Sequence, residues 1–352
     1  MTRRLTTEAP PDVSLTAPEL AGVAAVMSAV GVTPAGPLTS ALIAGGRSNL
    51  TFRLGDGTRE WVLRTPPRTG RTPSAHDVAR EFRVTTALGT TDVPVARAVA
   101  VCEDEAVLGG PFAVAEYVPG RTLQSGADLT ALDESILDAV VRELVGALAT
   151  LHAVDHVAVG LERFGRPDAY AERQLKRWSG QWSLVSDGSF DDLASVVSER
   201  LAELLPEQRS TGIVHGDYRI DNTILDLGAS GSPRVAAIVD WELCTIGDPV
   251  ADVATMLAYR NPAFDWIVGE SSAWTSSHLP DPEGLAAAYE SAGGVPLVDL
   301  DLHLALANYK IAVIAAGIEH RRRAGSGAGA GFDTAGRAVG PYLEASLLAM
   351  RS

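Results

Sequence analysis

The segment 213–227, IVHGDYRIDNTILDL, places a histidine, two aspartates, an arginine and an asparagine within eight positions, directly after a short apolar run. Asp217 could accept a proton from a hydroxyl nucleophile, which is the general-base role in phosphoryl transfer. Asn222 could offer its amide oxygen to a hard cation such as Mg²⁺. The alternative is a polar turn in which the Asp and Asn side chains accept hydrogen bonds from nearby main-chain N–H groups.

A second carboxylate, Asp240, ends the next apolar run. The segments TILDL and RVAAIVD flank the turn GASGSP and predict a strand hairpin that links Asn222 to Asp240. We expect the returning strand to bring Asp240 close to Asp217 and Asn222. Two carboxylates and an amide oxygen in a small region suit Mg²⁺, which keeps several waters and takes few protein ligands. The spacing therefore favours a metal-assisted site over a polar turn.

The motif HGDYRIDN followed by VDWE resembles the catalytic loop and metal-binding motif of the aminoglycoside phosphotransferase family. That pattern is His-Gly-Asp, four residues, Asn, and then an apolar strand that ends in Asp. The resemblance implies that Asp217 is the catalytic aspartate and that Asn222 and Asp240 bind the metal. It places Arg219, as a further catalytic residue, where protein kinases carry a phosphate-facing lysine. His215 would hold the loop by hydrogen bonds.

The same resemblance implies an α+β, protein-kinase-like, two-lobed fold, with a small antiparallel sheet lobe that carries one helix and a larger helical lobe. We expect residues 1–120 to form the nucleotide-binding lobe, which includes an N-terminal helix. Residues 121–352 would form the helical lobe with the catalytic loop and the acceptor pocket. The boundary is expected near PGRTLQSG, where Pro and Gly end the last strand.

Apolar periodicity agrees with this division. NLTFRL and REWVLR flank GDGT and predict a β-hairpin, and VPVARAVAVC and PFAVAEYV predict two further strands. AHDVAREFRVTTAL predicts a helix with Val78, Phe82 and Thr85 at helical spacing. The other expected helices are 18–32, LDESILDAVVRELVGALATLHAV, 168–184, 190–205, 249–259, 282–291, 300–324 and 334–350.

The segment IAGGRSNLTFRL lies between two strand-like runs and could approach nucleotide phosphates. Gly45 and Gly46 would let the main chain come close, and Ser48 could donate a hydrogen bond. Taken alone, a plain hairpin turn explains this segment better. The resemblance implies that Arg64, in EWVLRTPP, takes the position of the usual phosphate-facing lysine and that Glu81 is its partner.

The segment FAVAEYVPG resembles the hinge between the lobes, where main-chain groups of Glu116, Tyr117 and Val118 would meet the adenine of ATP. Over roughly residues 40–260, the chain is similar to kinase-like domains fused to some acyl-CoA dehydrogenases. The resemblance implies an ATP- and Mg²⁺-dependent O-phosphotransferase that acts on a small-molecule hydroxyl acceptor. A hydroxylated acyl compound ranks slightly ahead of an aminoglycoside.

Composition bounds the class of protein. A formal charge of −15 and 46% hydrophobic residues over 352 positions predict a globular chain that binds neither nucleic acid nor an anionic membrane, so any phosphate site must be local. Cys102 and Cys244 lie far apart, which argues against a disulfide framework. The N-terminal segment lacks the apolar core of a signal peptide. We therefore expect a soluble cytoplasmic protein; the sequence sets no oligomeric state.

Two further functions and two kinds of acceptor stay open. A nucleotide-binding pseudokinase is disfavoured by the intact Asp and Asn positions, and a protein kinase by HGD in place of His-Arg-Asp. Strong net acidity favours a cationic acceptor such as an aminoglycoside. An anionic acyl acceptor would need local cations, for which the helical lobe offers Lys176, Arg177 and the run 321–323, although these can also be solvated helix ends.

Overall fold

The computed structural model describes residues 14–45, 49–67, 77–228, 232–326 and 329–351. The chain divides into two compact units. The first comprises Met1–Pro119 and the short segment Val239–Glu242, and the second comprises Gly120–Ile238 and Leu243–Ser352. The division after Pro119 lies beside the boundary expected at residue 120. The inclusion of Val239–Glu242 in the first unit is a feature that no sequence pattern indicated.

The first unit contains one antiparallel sheet in the strand order β1-β2-β3-β5-β4. The predicted hairpin is confirmed, because Leu50 to Gly55 pair with Thr65 to Glu60. A short helix, α3, was not predicted. The elements are α1 (Ala17–Ala29), β1 (Thr39–Gly45), β2 (Leu50–Gly55), β3 (Glu60–Thr65), α2 (Val78–Leu88), β4 (Ala98–Cys102), α3 (Glu105–Leu108) and β5 (Phe112–Glu116).

Alternation along β3 separates the core of the first unit from its polar face. Trp61 and Leu63 are buried in one apolar cluster with Phe112 of β5 and Val23 of α1. Because successive side chains of a strand point to opposite faces, Arg64 lies on the other face of the sheet. The period-2 pattern of the sequence thus decides on which side of the sheet this arginine stands.

Helix α2 buries a different stripe from the one expected. The buried side chains are Val78, Glu81, Val84 and Leu88, whereas Phe82 is half-buried. A pattern based on apolarity does not count a glutamate as a core residue. Glu81 is tolerated there because it has charged and polar partners, described below.

The second unit is mainly helical, and its four short strands form two antiparallel pairs, β6 with β9 and β7 with β8. The β7–β8 hairpin was predicted; β6, β9, α4 and α9 were not. The helix expected at 334–350 begins as a 3-10 turn, Ala335–Ala338, before α12. The elements are α4 (Gly126–Thr130), α5 (Glu134–His152), α6 (Tyr170–Val185), α7 (Asp191–Glu203), β6 (Gly212–Val214), β7 (Thr223–Asp226), β8 (Arg234–Ile238), β9 (Thr245–Gly247), α8 (Pro249–Ala258), α9 (Phe264–Val268), α10 (Pro282–Ser291), α11 (Leu300–Arg323) and α12 (Val339–Ala349).

Helix α11 forms the centre of the second unit and packs against α6, α8 and α12. Within the described ranges it is the one helix long and apolar enough to cross a membrane by length and composition, with a mean hydropathy of 1.2 over 18 residues. Other residues bury 72% of that window, which is typical of a core helix. Its residues therefore supply side chains to the interior of the unit.

Phe112→Ala should lower the free energy of unfolding by about 3 to 5 kcal/mol, since Phe112 is 0% exposed and its removal leaves a cavity in a packed core. Urea denaturation would measure the change. Ile43→Ala, on the same sheet but 50% exposed, serves as the control and should stay within about 1 kcal/mol of the wild type. Equal losses in both variants would contradict this account of the core.

Candidate active site

The segment 215–222 follows β6 in the second unit, and the buried carboxylate of Asp252 on α8 holds its first residues. Asp252 accepts hydrogen bonds from the main-chain N–H groups of His215 at 2.6 Å and Gly216 at 2.8 Å, and from His152 Nε2 at 3.3 Å. Burial raises the pKa of Asp252, but the donors, His152 foremost, lower it more, so the net pKa lies below the ordinary value. Asp252 is therefore an ionised anchor for the loop. The ring of His215 also takes part in the loop, because its Nδ1 accepts from the main-chain N–H of Asp217 at 3.3 Å.

Gly216 is required at its position in this loop. Its φ is +83°, a conformation that side-chain-bearing residues rarely adopt. A Cβ at this position would lie 2.8 Å from the carbonyl oxygen of Leu243. The sharp turn that follows the anchored amides thus depends on glycine, and it determines where the next side chain, Asp217, stands.

Three side chains orient the carboxylate of Asp217. The Tyr259 hydroxyl donates to Oδ1 at 2.6 Å, Arg219 Nη1 donates to the same oxygen at 3.2 Å, and Asn222 Nδ2 donates to Oδ2 at 3.0 Å. The side chain of Asp217 keeps 18% of its surface exposed. A carboxylate that is held at both oxygens and still partly accessible can receive a proton from a bound hydroxyl group.

Arg219 is committed to neighbouring carboxylates. Its Nε and Nη2 donate to the two oxygens of Asp221 at 3.0 Å each, and its guanidinium carbon lies 4.8 and 5.0 Å from the ring centroids of Tyr259 and Phe264. Burial lowers the pKa of Arg219, but the charges of Asp217 and Asp221 raise it more, so the net pKa is above the ordinary value. In this arrangement Arg219 positions Asp217. The phosphate-facing role expected from the resemblance stays a prediction.

The amide group of Asn222 has a defined orientation. Its Nδ2 donates to the main-chain oxygen of Asp217 at 2.7 Å as well as to the carboxylate. Both partners are acceptors, so the nitrogen must face Asp217, and the amide oxygen Oδ1 is the atom left to bind a cation. The geometry is therefore consistent with a ligand role but does not test it.

Sequence reasoning missed Lys310, which contacts the loop 215–222. Its Nζ donates to the main-chain oxygen of Gly216 at 2.7 Å from a position 94 residues further along the chain. The available signal was a single lysine in the middle of the apolar run of α11. Tyr259, which also contacts Asp217, carried no signal, because a tyrosine in an apolar helix is normally a core residue.

The first unit contains a second charged cluster, which we call the Arg64 cluster: Asn49, Arg64, Glu81 and Asp240. Arg64 Nη1 lies 3.2 Å from Glu81 Oε2, and Nη2 lies 3.0 Å from Asp240 Oδ1. Asn49 Nδ2 donates to the other oxygen of Glu81 at 3.2 Å. The pair of Arg64 and Glu81 that the sequence suggested is thus present, and the guanidinium also contacts Asp240.

Glu81 is poised to change its charge near neutral pH. Burial raises its pKa to about 7, with smaller contributions from the charges of Asp240 and Glu242, while Arg64 and Asn49 oppose the rise. Arg64 has a raised pKa in spite of its own burial, because Glu81 and Asp240 stabilise its charge. One permanent cation therefore faces two carboxylates, one of which titrates close to physiological pH.

Asp240 adopts an unusual backbone conformation, with φ at +66°. Such conformations cost free energy in non-glycine residues and cluster at functional sites. Its side chain is 34% exposed, and Arg64 contacts one of its two carboxylate oxygens, Oδ1. Oxygen donors of Asp and Asn side chains are of the type that Mg²⁺ takes, and the donors of Asp240 and Asn222 fit that ion chemically.

The remaining nucleotide residues are only partly described. Gly45 ends β1, whereas Gly46 and Ser48 lie outside the described residues. The side chain of Glu116 pairs with Arg97. These observations leave the phosphate-loop prediction untested.

In the expected hinge, the ring of Tyr117 lies 4.3 Å from the guanidinium carbon of Arg53, and its main-chain N–H donates to Glu60. The predicted contacts of Glu116, Tyr117 and Val118 with adenine would therefore have to use other main-chain groups. In the part of the chain that the structure describes, no three His, Cys, Asp or Glu side chains are grouped to hold a metal ion.

Comparisons with known proteins identify relatives of this chain. The model of the APH family, described as a phosphotransferase enzyme family, matches residues 39–288. Acyl-CoA dehydrogenase family member 10 of Mus musculus is 32% identical over 312 residues, which cover 88% of this chain and 29% of that protein. The chain thus spans about a third of the length of this curated relative.

Solved structures show the same fold. A putative aminoglycoside phosphotransferase from Ralstonia eutropha JMP134 has a TM-score of 0.79 and 31% identity, covering 94% of this chain and 98% of its own. A thermostable mutant of the aminoglycoside phosphotransferase APH(4)-Ia, in a ternary complex with AMP-PNP and hygromycin B, has a TM-score of 0.59 and 17% identity, covering 90% and 94% of the two chains. These likenesses confirm the kinase-like α+β fold that the resemblance implied.

Glu81→Gln should change how stability depends on pH. The folded-state pKa of about 7 lies above the ordinary 4.5, so the protonated carboxyl contributes stability that is fully present below pH 4.5 and is lost as the pH rises through about 7. Relative to the variant, the wild type should lose up to about 3 kcal/mol of unfolding free energy between about pH 5 and 8. Denaturant unfolding without nucleotide or Mg²⁺ measures this, with the exposed Glu103→Gln as control. A difference between Glu81→Gln and the wild type that does not vary with pH would contradict the assignment.

Proposed function

Since the chain belongs to the APH phosphotransferase enzyme family, we propose that it is an ATP- and Mg²⁺-dependent O-phosphotransferase that transfers the γ-phosphoryl group to a hydroxyl of a small molecule. The observation that carries this proposal is the carboxylate of Asp217, held at both oxygens by Tyr259, Arg219 and Asn222 while still partly exposed. A carboxylate used only for structure would have no need of an accessible edge. A carboxylate that takes a proton from an incoming hydroxyl needs one.

In the proposed reaction, the acceptor oxygen forms a new bond to the γ-phosphorus while the bond from that phosphorus to the β–γ bridging oxygen breaks. The proton of the acceptor hydroxyl passes to Asp217, and ADP leaves with the bridging oxygen. Arg219 and Tyr259 donate to Oδ1 and Asn222 donates to Oδ2, which keeps the carboxylate in one orientation. Most of the rate gain would come from positioning and from neutralising charge rather than from covalent chemistry.

The nucleotide phosphates would be bound by Arg64, whose planar guanidinium can contact two oxygens at once. Glu81 pairs with the guanidinium, and Asn49 in turn donates to Glu81. Asn222 and Asp240 would hold Mg²⁺, which supplies charge neutralisation at the phosphates when bound. The AMP-PNP and hygromycin B complex of the structural neighbour supports a nucleotide and a small-molecule acceptor as the two substrates.

For the acceptor, we propose a hydroxylated acyl compound ahead of an aminoglycoside. The similarity to an acyl-CoA dehydrogenase family member supports this order. The basic run at the end of α11 adds little, since Arg322 and Arg323 are ion-paired with Glu319, and Arg323 also with Asp187. Phosphorylation of a hydroxyl group would make it a leaving group for later chemistry.

The activity can be tested with radiolabelled ATP and a panel of acceptors that contains hydroxy acids, their CoA thioesters and kanamycin. We expect Mg²⁺-dependent label transfer to at least one hydroxylated acyl compound. Nucleotide binding without transfer to any acceptor and without slow ATP hydrolysis would favour the pseudokinase alternative. Transfer to kanamycin at ordinary enzyme efficiency, with none to acyl compounds, would reverse the order of the acceptors.

Asp217→Asn should lower transfer by about 10²- to 10⁴-fold and leave Mg-ATP affinity nearly unchanged, because the base touches the acceptor and not the nucleotide. Asp240→Ala should weaken Mg-ATP binding as well as transfer. Calorimetry and steady-state kinetics separate the two effects. Asp226→Asn, an exposed position in the same unit as Asp217, is the control. Turnover of Asp217→Asn within a few-fold of the wild type would reject its role as the base.

Arg64→Ala should raise the Michaelis constant for ATP, and Arg64→Lys should recover part of the loss, because lysine keeps the charge but not the bidentate geometry. Arg59→Ala, which removes an exposed arginine from the neighbouring turn, is the control. A purely structural Arg64 would give a different result: both substitutions would lower thermal stability, and the kinetics with ATP would stay the same.

A further inference from the structure

Lys310 stands out in both the sequence and the structure. Of the 29 Lys and Arg residues in the chain, lysine occurs at positions 176 and 310, and every other one is arginine. Lys176 is exposed on α6, whereas Lys310 is half-buried in the central helix α11, next to the buried residues Tyr309 and Ile311. A charged side chain in the middle of a core helix costs free energy unless it has a partner.

The partner of Lys310 is a neutral one. Its Nζ donates to the main-chain oxygen of Gly216 at 2.7 Å, and within the described ranges no carboxylate lies at ion-pair distance from it. A lysine ammonium carries three N–H groups, so two are left after this bond. Gly216 immediately precedes Asp217, and the charge of Asp217 acts on Lys310, so the ammonium lies near the residue proposed to receive the acceptor's proton.

Charges of both signs act on Lys310. Burial lowers the pKa of Lys310 and the charges of Asp217 and Asp252 raise it, while Arg177 of α6 and Arg219 lower it further. Asp217 and Asp252 are already hydrogen-bonded by other donors. Arg219 is bound to Asp217 and Asp221. Among the described residues, Lys310 is thus a cation near Asp217 with N–H groups left for a ligand, and Arg177 adds a second positive charge within electrostatic range.

Building on the proposed function, we propose that Lys310 determines acceptor specificity: its ammonium binds an anionic group of the acceptor, such as a carboxylate, beside the hydroxyl that faces Asp217. Arg177 strengthens this preference by its charge. The acceptor is then a hydroxylated anion rather than a polyamine, in spite of the net charge of −15. A bound anion would accept from the N–H groups of Lys310 that Gly216 does not use and so offset part of the cost of its burial.

A matched pair of acceptors tests this proposal: 3-hydroxydecanoate, which carries a carboxylate, and its uncharged methyl ester. The wild type should prefer the acid. Lys310→Met keeps the length of the side chain but removes its charge. It should lower kcat/KM for the acid by about 10- to 100-fold, mainly through KM, because a hydrogen bond to a charged group is lost. The ester should stay within about threefold. Lys310→Arg should restore part of the preference, and Lys176→Met should change neither acceptor.

The outcomes separate recognition from loop bracing and from failure of the proposed function. Equal losses for acid and ester in Lys310→Met, or no preference for the acid in the wild type, would overturn the proposal and leave Lys310 as a brace for Gly216. The proposed function itself fails if the wild type phosphorylates no acceptor in the wider panel. Binding of 3-hydroxydecanoate by calorimetry is independent of turnover: it should be at least tenfold weaker in Lys310→Met, and equal binding overturns the proposal.

The scarcity of lysine allows a check on the unmutated protein, which does not depend on how a variant folds. Amine acetylation followed by peptide mass spectrometry reports on Lys310, with exposed Lys176 as an internal reference. The acid should slow acetylation of Lys310 at least threefold relative to Lys176, and the methyl ester should not. Equal protection by acid and ester, or none by either, would contradict an anion contact at Lys310.

Discussion

The buried carboxylate of Asp252 is the interaction on which the second unit's candidate site depends. It gathers the main-chain N–H groups of His215 and Gly216 and the ring of His152 around one negative charge. Main-chain amides buried without acceptors would each cost free energy comparable to a lost hydrogen bond. The carboxylate satisfies two amides at once, and by doing so it specifies the path of the chain into the turn at Gly216 and the direction of the side chain that follows.

A second layer of contacts supports that anchor. His152 Nδ1 lies 2.7 Å from the hydroxyl of Tyr289, whose oxygen also accepts from the main-chain N–H of Val295 at 3.1 Å. Because an ionised Asp252 can only accept, His152 donates to it through Nε2. The chain of bonds ties α5, α8 and α10 to the loop, so residues of three helices support the position of Asp217.

Two arginines, Arg64 and Arg219, each contact two carboxylates in this acidic protein, and the planar guanidinium makes this possible. Arg219 reaches two carboxylates and two aromatic rings at once, and Arg64 contacts Glu81 and Asp240 through different nitrogens. Each guanidinium thereby holds carboxylates in a defined direction. Lysine carries a compact charge instead of a planar fork. Lys310 makes one hydrogen bond, to Gly216, and so has N–H groups left for a ligand. The net charge of −15 is a property of the whole chain, whereas these partly buried cations set the local charge at the candidate sites.

The sequence by itself determined the parts that depend on neighbours in the chain: the β2–β3 and β7–β8 hairpins, most helix positions and the motif that contains Asp217 and Asn222. Turn residues and apolar periodicity act over a few residues, so local secondary structure can be predicted from these patterns. Only the tertiary structure decided which charges meet. It placed Glu81 in the buried stripe of α2, joined Val239–Glu242 to the first unit, and brought Tyr259 and Lys310 to the loop from other helices. Those contacts form between residues far apart in the chain, where packing and the need to partner buried charges select the neighbour, and no spacing along the sequence records that choice.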